Sequence, residues 1–361
     1  MASERFDALV LGRGACSVFV RGIGLIMGSR SNTDSDAVRI GSFQYLRASV
    51  SHSLYRNGKV LTRRDKDGSD GGWDGVDLEA RCMPVHDDRC REPTARCTLS
   101  RHGFEMYQHP LATTNVDFLN QDQVVRTYYP QCAEIVREAT GASFVAAFDH
   151  NIRSAAGKQS KRRIQGGQQV QGPAHVVHGD YTLTSAPQRF RDLAKSPGGN
   201  DTFQSLLPDG KSLLDAAEVE RVLSGGRFGI INVWRNIAEG PVERNPLALC
   251  DATSVRPEDL VVFEIHYHDR IGENYFAKHA DYHQWYFYPG LTRDEVLLIK
   301  QWDSFGELAR SNGKNRDAIT PDTPCTFSFH SAFEDPTTRP EAPERWSIEV
   351  RCVVLYDHSN L

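Results

Sequence analysis

A histidine and an aspartate stand two positions apart, at His178 and Asp180. In an extended segment, residues i and i+2 point to the same side, so an imidazole nitrogen and a carboxylate oxygen can face one metal ion. A second histidine would complete a 2-His-1-carboxylate set, and His330, at the end of an apolar run, is the candidate. Such a set leaves coordination positions open and is typical of non-haem Fe(II) oxygenases.

A second pair with the same spacing, Arg345 and Ser347, opens the last apolar run of the chain. A guanidinium beside a hydroxyl suits a carboxylate, because arginine can meet it with two parallel hydrogen bonds. Together, a metal face and a carboxylate anchor are what an enzyme using Fe(II) and 2-oxoglutarate requires. Glu349 and Arg351 continue this polar face, and an ion pair that supports the sheet explains them as well as direct contact with a ligand does.

Two other histidine pairs offer an alternative metal site. His266 and His268 have the same i, i+2 spacing, and His279 with His283 could share one face of a helix. These residues leave open a cupin-like metal enzyme that does not use 2-oxoglutarate, with His266 and His268 as ligands. No carboxylate-anchoring pattern follows them, so we interpret them as structural or substrate-lining.

The composition limits the possible partners and compartments. With 361 residues, 39% of them hydrophobic, the chain can bury a sizeable core, and its formal charge of −5 gives no electrostatic reason to expect nucleic acid. No apolar segment approaches the length of a membrane span, so we expect no membrane association. Eight cysteines without a Cys-x-x-Cys pair predict reduced thiols and a cytoplasmic protein. The oligomeric state is left open.

Short apolar runs separated by turns dominate the second half of the chain and predict strands. The predicted strands are 143–148, 228–234, 260–267, 283–288, 296–301, 325–330 and 346–356. Helices are predicted at 120–141, interrupted or restarted at Pro130, and at 212–223 and 303–310. Many strands and few helices indicate a mainly β (α+β) fold, and we favour a jelly roll of two packed sheets with flanking helices.

Four ordered strings resemble one known family. They are VHGDYT (177–182), INVWR (231–235), PLALCD (246–251) and FHSAF (329–333). The family is the Fe(II)/2-oxoglutarate-dependent oxygenase group that includes the gibberellin desaturase, the cephamycin 7-hydroxylase component and related fungal natural-product oxygenases. The resemblance covers about residues 95 to 356. We therefore divide the chain into an N-terminal extension, 1–95, packing on the core, and an oxygenase domain, 96–361.

The resemblance implies a double-stranded β-helix in which His178, Asp180 and His330 hold Fe(II). It also implies that Arg345 and Ser347 bind the distal carboxylate of 2-oxoglutarate. By the same resemblance, Asn232, Arg235 and Arg189 are placed near the cosubstrate, as direct contacts or as support for the site. The implied reaction uses O2 to oxidise an unactivated C–H bond of a small specialised metabolite, by hydroxylation, desaturation or oxidative cyclisation, with release of succinate and CO2. Because members of the group differ in reaction, the resemblance does not identify the substrate.

Overall fold

The computed structural model describes residues 38–64, 70–112, 116–198, 201–268, 270–317, 320 and 322–357. These residues form fifteen strands: β1 (Val38–Leu46), β2 (Leu61–Arg64), β3 (Asp70–Asp74), β4 (Leu78–Asp87), β5 (Phe104–Gln108), β6 (Phe144–Arg153), β7 (His178–Gly179), β8 (Phe228–Asn236), β9 (Leu247–Cys250), β10 (Leu260–His266), β11 (Ile271–Ala277), β12 (Trp285–Phe287), β13 (Glu295–Asp303), β14 (His330–Ala332) and β15 (Ser347–Leu355). The strands outnumber the helices, as the pattern of short apolar runs predicts.

The strands form two sheets. The larger has ten strands in the order β1-β4-β12-β9-β14-β7-β11-β10-β2-β3, and the smaller has five in the order β5-β13-β8-β15-β6. Strands far apart in the sequence are neighbours in both sheets, which is the crossover pattern of a jelly roll. The fold class predicted from the sequence is therefore confirmed.

Several helices cover the outer face of the five-stranded sheet, whereas the last one packs in an apolar cluster with the larger sheet. The described helices are α1 (Gln121–Gln123), α2 (Tyr129–Thr140), α3 (Ala155–Gln159), α4 (Ser185–Asp192), α5 (Ala216–Leu223) and α6 (Glu307–Arg310). One π-helical turn joins α1 to α2, and Pro130 lies in the first turn of α2, where its missing N–H costs nothing. Gly141 ends α2 in the left-handed conformation, at φ +65°.

The central strands of the smaller sheet are buried on both faces. Every residue of β8 and β13 is buried. Val233 packs in one apolar cluster with Ile135 of α2, whereas the next residue, Trp234, packs in another with Leu249 of the larger sheet. The alternation of side chains along β8 thus connects the helical layer to the space between the sheets, where the candidate site lies.

Two expectations from the sequence are wrong. The predicted strand at 325–330 is reduced to its last residue, because the backbone N–H groups of Cys325 and Ser328 bond singly to Ser100 and Lys300 instead of joining a ladder.

The eight cysteines are not all reduced thiols, since Cys82 is disulfide-bonded. Cys82 lies on the exposed side of β4, where another thiol can reach it. Five other described cysteines are free and buried: Cys97, Cys132, Cys250, Cys325 and Cys352.

Strands from the first hundred residues join the same sheet as later strands. β4 pairs with β12, and β2 pairs in parallel with β10. The boundary we place at residue 95 stays a prediction. Within the described residues, no helix combines the length and the apolar character that crossing a membrane requires.

Candidate metal centre and its cavity

The three predicted metal ligands meet at one point. His178 and His330 are register partners on the adjacent antiparallel strands β7 and β14, and their ring centroids lie 4.3 Å apart. Asp180 follows β7 directly and places Oδ1 3.7 Å from His178 Nε2 and 4.0 Å from His330 Nε2. Among the described residues, these three form the sole cluster of three or more histidine, cysteine or acidic side chains able to hold a metal ion.

Both imidazoles direct Nε2 toward the centre of the cluster. His178 Nδ1 lies 2.8 Å from the carbonyl oxygen of Val176, to which it donates, so Nε2 keeps its lone pair. In His330 it is also Nδ1 that faces away from the cluster, 3.5 Å from the side-chain amide nitrogen of Gln301, and the backbone of Ser328 raises the pKa of this ring against the larger effect of burial. A backbone carbonyl on the far nitrogen fixes the ring orientation and the tautomer that a metal ligand needs.

The protonation states suit a cation. Burial, reinforced by His330, lowers the pKa of His178 to about 4, and burial also lowers the pKa of His330. Burial opposes ionisation of Asp180, but the Arg351 guanidinium and the two imidazoles outweigh it, so the pKa of this carboxyl lies well below its usual range. At neutral pH the cluster therefore presents two neutral nitrogens and one carboxylate.

The remaining polar atoms of Asp180 are held by three side chains from the smaller sheet. Its Oδ2 accepts hydrogen bonds from Asn232 Nδ2 at 3.0 Å and from Arg351 Nε at 3.2 Å. Its backbone N–H donates to Gln301 Oε1 at 3.0 Å, and the amide nitrogen of Gln301 lies 3.5 Å from His330 Nδ1. Oδ1 is thus left to face the histidines.

Arg345 lines the same cavity as the histidines, and Ser347 lies on the same face of β15 as Glu349, which also lines it. Arg345 and Ser347 both have unused hydrogen-bonding atoms. Both residues are buried, and neither Arg345 Nε nor Ser347 Oγ has a hydrogen-bond partner. Burial lowers the pKa of Arg345 to about 9. The cavity is lined by Arg153, Ala174, His178, Trp234, Leu247, His330, Ala332, Arg345 and Glu349. Orphaned buried donors are rare and costly, so these two indicate a place for an anionic ligand.

Two of the residues implied by the family resemblance, Arg235 and Arg189, do not line the cavity. Arg235 lies on the opposite face of β8 from Asn232 and Trp234, and its Nε donates to Tyr128 OH at 2.9 Å. Arg189, on α4, is 3.2 Å from Asp201 and stacks over Phe148. Asn232, by contrast, contacts Asp180 directly.

Histidines of the two alternative pairs form hydrogen bonds with other side chains. His266 Nε2 lies 2.8 Å from Glu264 Oε2. Both ring nitrogens of His283 are bonded in the core, Nδ1 to Tyr45 OH and Nε2 to Asp259. None of the four histidines belongs to a three-residue metal cluster within the described part of the chain.

Two residues at the site were not among our candidates, Gln301 and Arg153. Gln301 ends the predicted strand 296–301, and a polar residue closing an apolar run was the available signal. Arg153 ends β6, which extends beyond the predicted strand 143–148, so we did not predict it to lie on a strand.

The chain is similar to several known proteins. A family described as "Oxidoreductase/YMDC permease-like domain" matches residues 56–355, which begins before residue 95. An uncharacterized protein in the dcmA 3′ region of Methylophilus leisingeri is 44% identical over 54% of this chain and 88% of its own length. The alpha-ketoglutarate-dependent dioxygenase phiK of a fungal species is 31% identical over 77% of this chain and 85% of its own length. The solved structure of the iron and alpha-ketoglutarate-dependent endoperoxidase NvfI shares the fold, with a TM-score of 0.66 and 21% sequence identity. The match covers 90% of this chain and 100% of the NvfI chain.

Proposed function

The chain belongs to the family of 2-oxoglutarate-dependent dioxygenases, and on that premise we propose that it oxidises an unactivated C–H bond of a small specialised metabolite. As a member of this family it is an enzyme that uses Fe(II), 2-oxoglutarate and O2. We propose His178, Asp180 and His330 as the iron ligands, and Arg345 with Ser347 as the anchor for the distal carboxylate of 2-oxoglutarate.

One observation carries the proposal: both histidines of the metal-capable cluster line one cavity with Arg345, a buried residue with an unpartnered donor. Ser347, whose hydroxyl is also unpartnered, shares the face of β15 with Glu349 of the same cavity. Two imidazole nitrogens and one carboxylate suit Fe(II) and leave positions for ligands other than the protein. Arg345 Nε and Ser347 Oγ, both without a partner, suit a carboxylate. The residues present therefore fit both the metal and the cosubstrate.

When bound, iron with 2-oxoglutarate and O2 supplies the oxidising power, and succinate and CO2 are the co-products. The chain supplies position and environment. His178 and His330 keep unprotonated Nε2 atoms toward the metal position, and Asn232 with Arg351 fixes which oxygen of Asp180 faces it. Trp234 and Leu247 line the cavity with apolar surface that limits the access of water.

The reaction type within this class is part of the proposal. Hydroxylation, desaturation and oxidative cyclisation all begin with removal of hydrogen from carbon, so the ligand set is compatible with each of them. The names of the relatives, a dioxygenase and an endoperoxidase, support oxygen-dependent chemistry. We also infer a cytoplasmic location, because five of the seven described cysteines are buried free thiols.

An anaerobic titration of the metal-free protein with Fe(II) and then 2-oxoglutarate tests the proposal. Chelation of the keto acid to iron should produce a weak visible charge-transfer band that saturates at one equivalent. Admission of O2 with a panel of metabolites should then release succinate fastest with the true substrate. A protein that binds Fe(II) without developing the band would contradict the proposal.

A further inference from the structure

The cavity holds a second guanidinium beside Arg345. Arg153 lines the same cavity, and it is the register partner of Ser347 in the antiparallel pairing of β6 with β15. Directly opposed residues of an antiparallel pair lie side by side on one face of the sheet. Arg153 therefore lies next to the hydroxyl that we propose as part of the carboxylate anchor.

Neither arginine of this pair is neutralised by an ion pair. In the part of the chain that the structure describes, no carboxylate lies within 4.0 Å of the guanidinium of Arg153 or Arg345, and Arg153 Nη1 donates only to the carbonyl of Gly172, at 2.9 Å. The neighbouring Arg351 differs, since it pairs with Asp180 and Asp149. The charge of Glu349 raises the pKa of both arginines against the larger effect of burial, but it forms no direct ion pair with either of them. Two adjacent cations without a direct ion-pair partner indicate that the cavity receives an anion.

The electrostatics agree with this placement. Burial lowers the pKa of both arginines, and the charge of Arg153 lowers the pKa of Arg345 further. Glu349 is the one acidic side chain lining the cavity. Its Oε1 accepts a hydrogen bond from Asn232 at 3.0 Å and lies 3.7 Å from Arg351. Glu349 therefore interacts with the two residues that also hold Asp180. A carboxylate entering between Arg153 and Arg345 would relieve their repulsion.

We infer that Arg153 is a second guanidinium anchor for the distal carboxylate of 2-oxoglutarate, beside Arg345 and Ser347. This inference rests on the proposed function. Arg345 offers its free Nε, Ser347 its hydroxyl, and Arg153 the donors that are not bonded to Gly172. The carboxylate would thus be held by donors from two neighbouring strands, β6 and β15, and from the segment that leads into β15.

The test compares two ligands on the Fe(II)-loaded protein under anaerobic conditions, with the charge-transfer band as the readout of binding. 2-Oxopentanoate has the same chain length as 2-oxoglutarate and lacks only the distal carboxylate. In Arg153→Gln, the affinity for 2-oxoglutarate should fall about 10- to 100-fold, as expected for a lost hydrogen bond to a charged group. The affinity for 2-oxopentanoate should stay unchanged, which a merely structural role would not produce.

Arg89→Gln is the matched control, because Arg89 is also half-buried but pairs with Glu295 away from the cavity. Should Arg153→Gln fail to fold, Arg153→Lys decides instead, with a smaller selective loss expected because lysine keeps the charge but not the fork. Equal 2-oxoglutarate affinity in the variant and the wild type, or equal losses for both ligands, would overturn the inference. Absence of any band in the wild type would refute the proposed function instead.

Discussion

Arg351 donates a hydrogen bond from Nε to Oδ2 of Asp180, across 171 positions of sequence and a distance of 3.2 Å. Its Nη1 is also held, 3.1 Å from Asp149 Oδ2. Strand β15 therefore helps to determine which oxygen of Asp180 faces the two histidines, although none of the proposed iron ligands lies on that strand.

Loss of this contact should weaken the binding of iron. Arg351→Gln removes the charge that keeps Asp180 ionised and oriented, and changes to such supporting partners typically cost 10- to 100-fold in metal affinity. A competition titration with an Fe(II) chelator measures the change. Arg137→Gln, on the exposed face of α2, is the control and should bind iron like the wild type. Unchanged affinity in Arg351→Gln would show that Asp180 does not depend on this guanidinium.

Replacing one histidine in each candidate metal site should show which of the two sites binds iron. His178→Ala removes one of the two nitrogens at the cluster, so stoichiometric Fe(II) binding should be lost. His266→Ala should bind Fe(II) normally, because His266 bonds to Glu264 and belongs to no three-residue metal cluster. Equilibrium dialysis followed by metal analysis measures both. The reverse pattern would favour the cupin-like alternative.

Removal of the proposed cosubstrate anchor should affect the keto acid more than the metal. Arg345→Ala deletes a buried guanidinium whose Nε has no partner in the protein. We expect the charge-transfer band to vanish at modest 2-oxoglutarate concentration and to return at concentrations about 100-fold higher, while Fe(II) affinity stays the same. Retention of wild-type 2-oxoglutarate affinity would exclude Arg345 as the anchor.

The buried His150 should make stability depend on pH. Burial lowers the pKa of His150 to about 4, and the side chain bonds to Tyr129 OH at 2.8 Å. In the unfolded chain the His150 imidazole has its ordinary pKa of about 6.5, so as the pH falls it binds a proton before the folded protein does. The contribution of His150 to the free energy of unfolding is therefore fully present above about pH 6.5 and is lost as the pH drops toward 4. The single-site contribution is at most about 3 kcal/mol.

Urea unfolding of the metal-free protein at several pH values between about 7 and 4.5 measures this slope. In His150→Gln the free energy of unfolding should decline less steeply over the same window, because the other titrating groups are unchanged. An identical slope in the variant and the wild type would show that His150 does not titrate in this way.

A side chain added at Gly141, at the end of helix α2, should lower stability because of the backbone conformation at that position. Gly141 has φ +65°, and nothing lies within 4 Å of a Cβ added there. Gly141→Ala should therefore lower the free energy of unfolding by about 1 kcal/mol through the left-handed conformation alone. Gly240→Ala is the control, since it has equal space and no positive φ, and it should be close to neutral. Thermal unfolding compares the two.

The chemistry of the site was predictable because it depends on short-range patterns. His178 and Asp180 share one side of an extended segment whatever the fold around them, and the same period of two relates Arg345 to Ser347. The jelly roll was predictable for a similar reason, since alternating apolar runs and turns specify strands locally. The strands β1 and β4 were missed because the first hundred residues lack so clear an alternation.

The sequence by itself determined the chemical types at the site and the class of fold. Tertiary structure alone decided which distant side chains complete it: Gln301 and Arg351 beside Asp180, Arg153 beside Ser347, and Arg235 turned to the other face of β8. The physical reason is that these contacts depend on the register between strands far apart in the chain. A shift of one residue in that register would direct each of these side chains to the opposite face of its sheet.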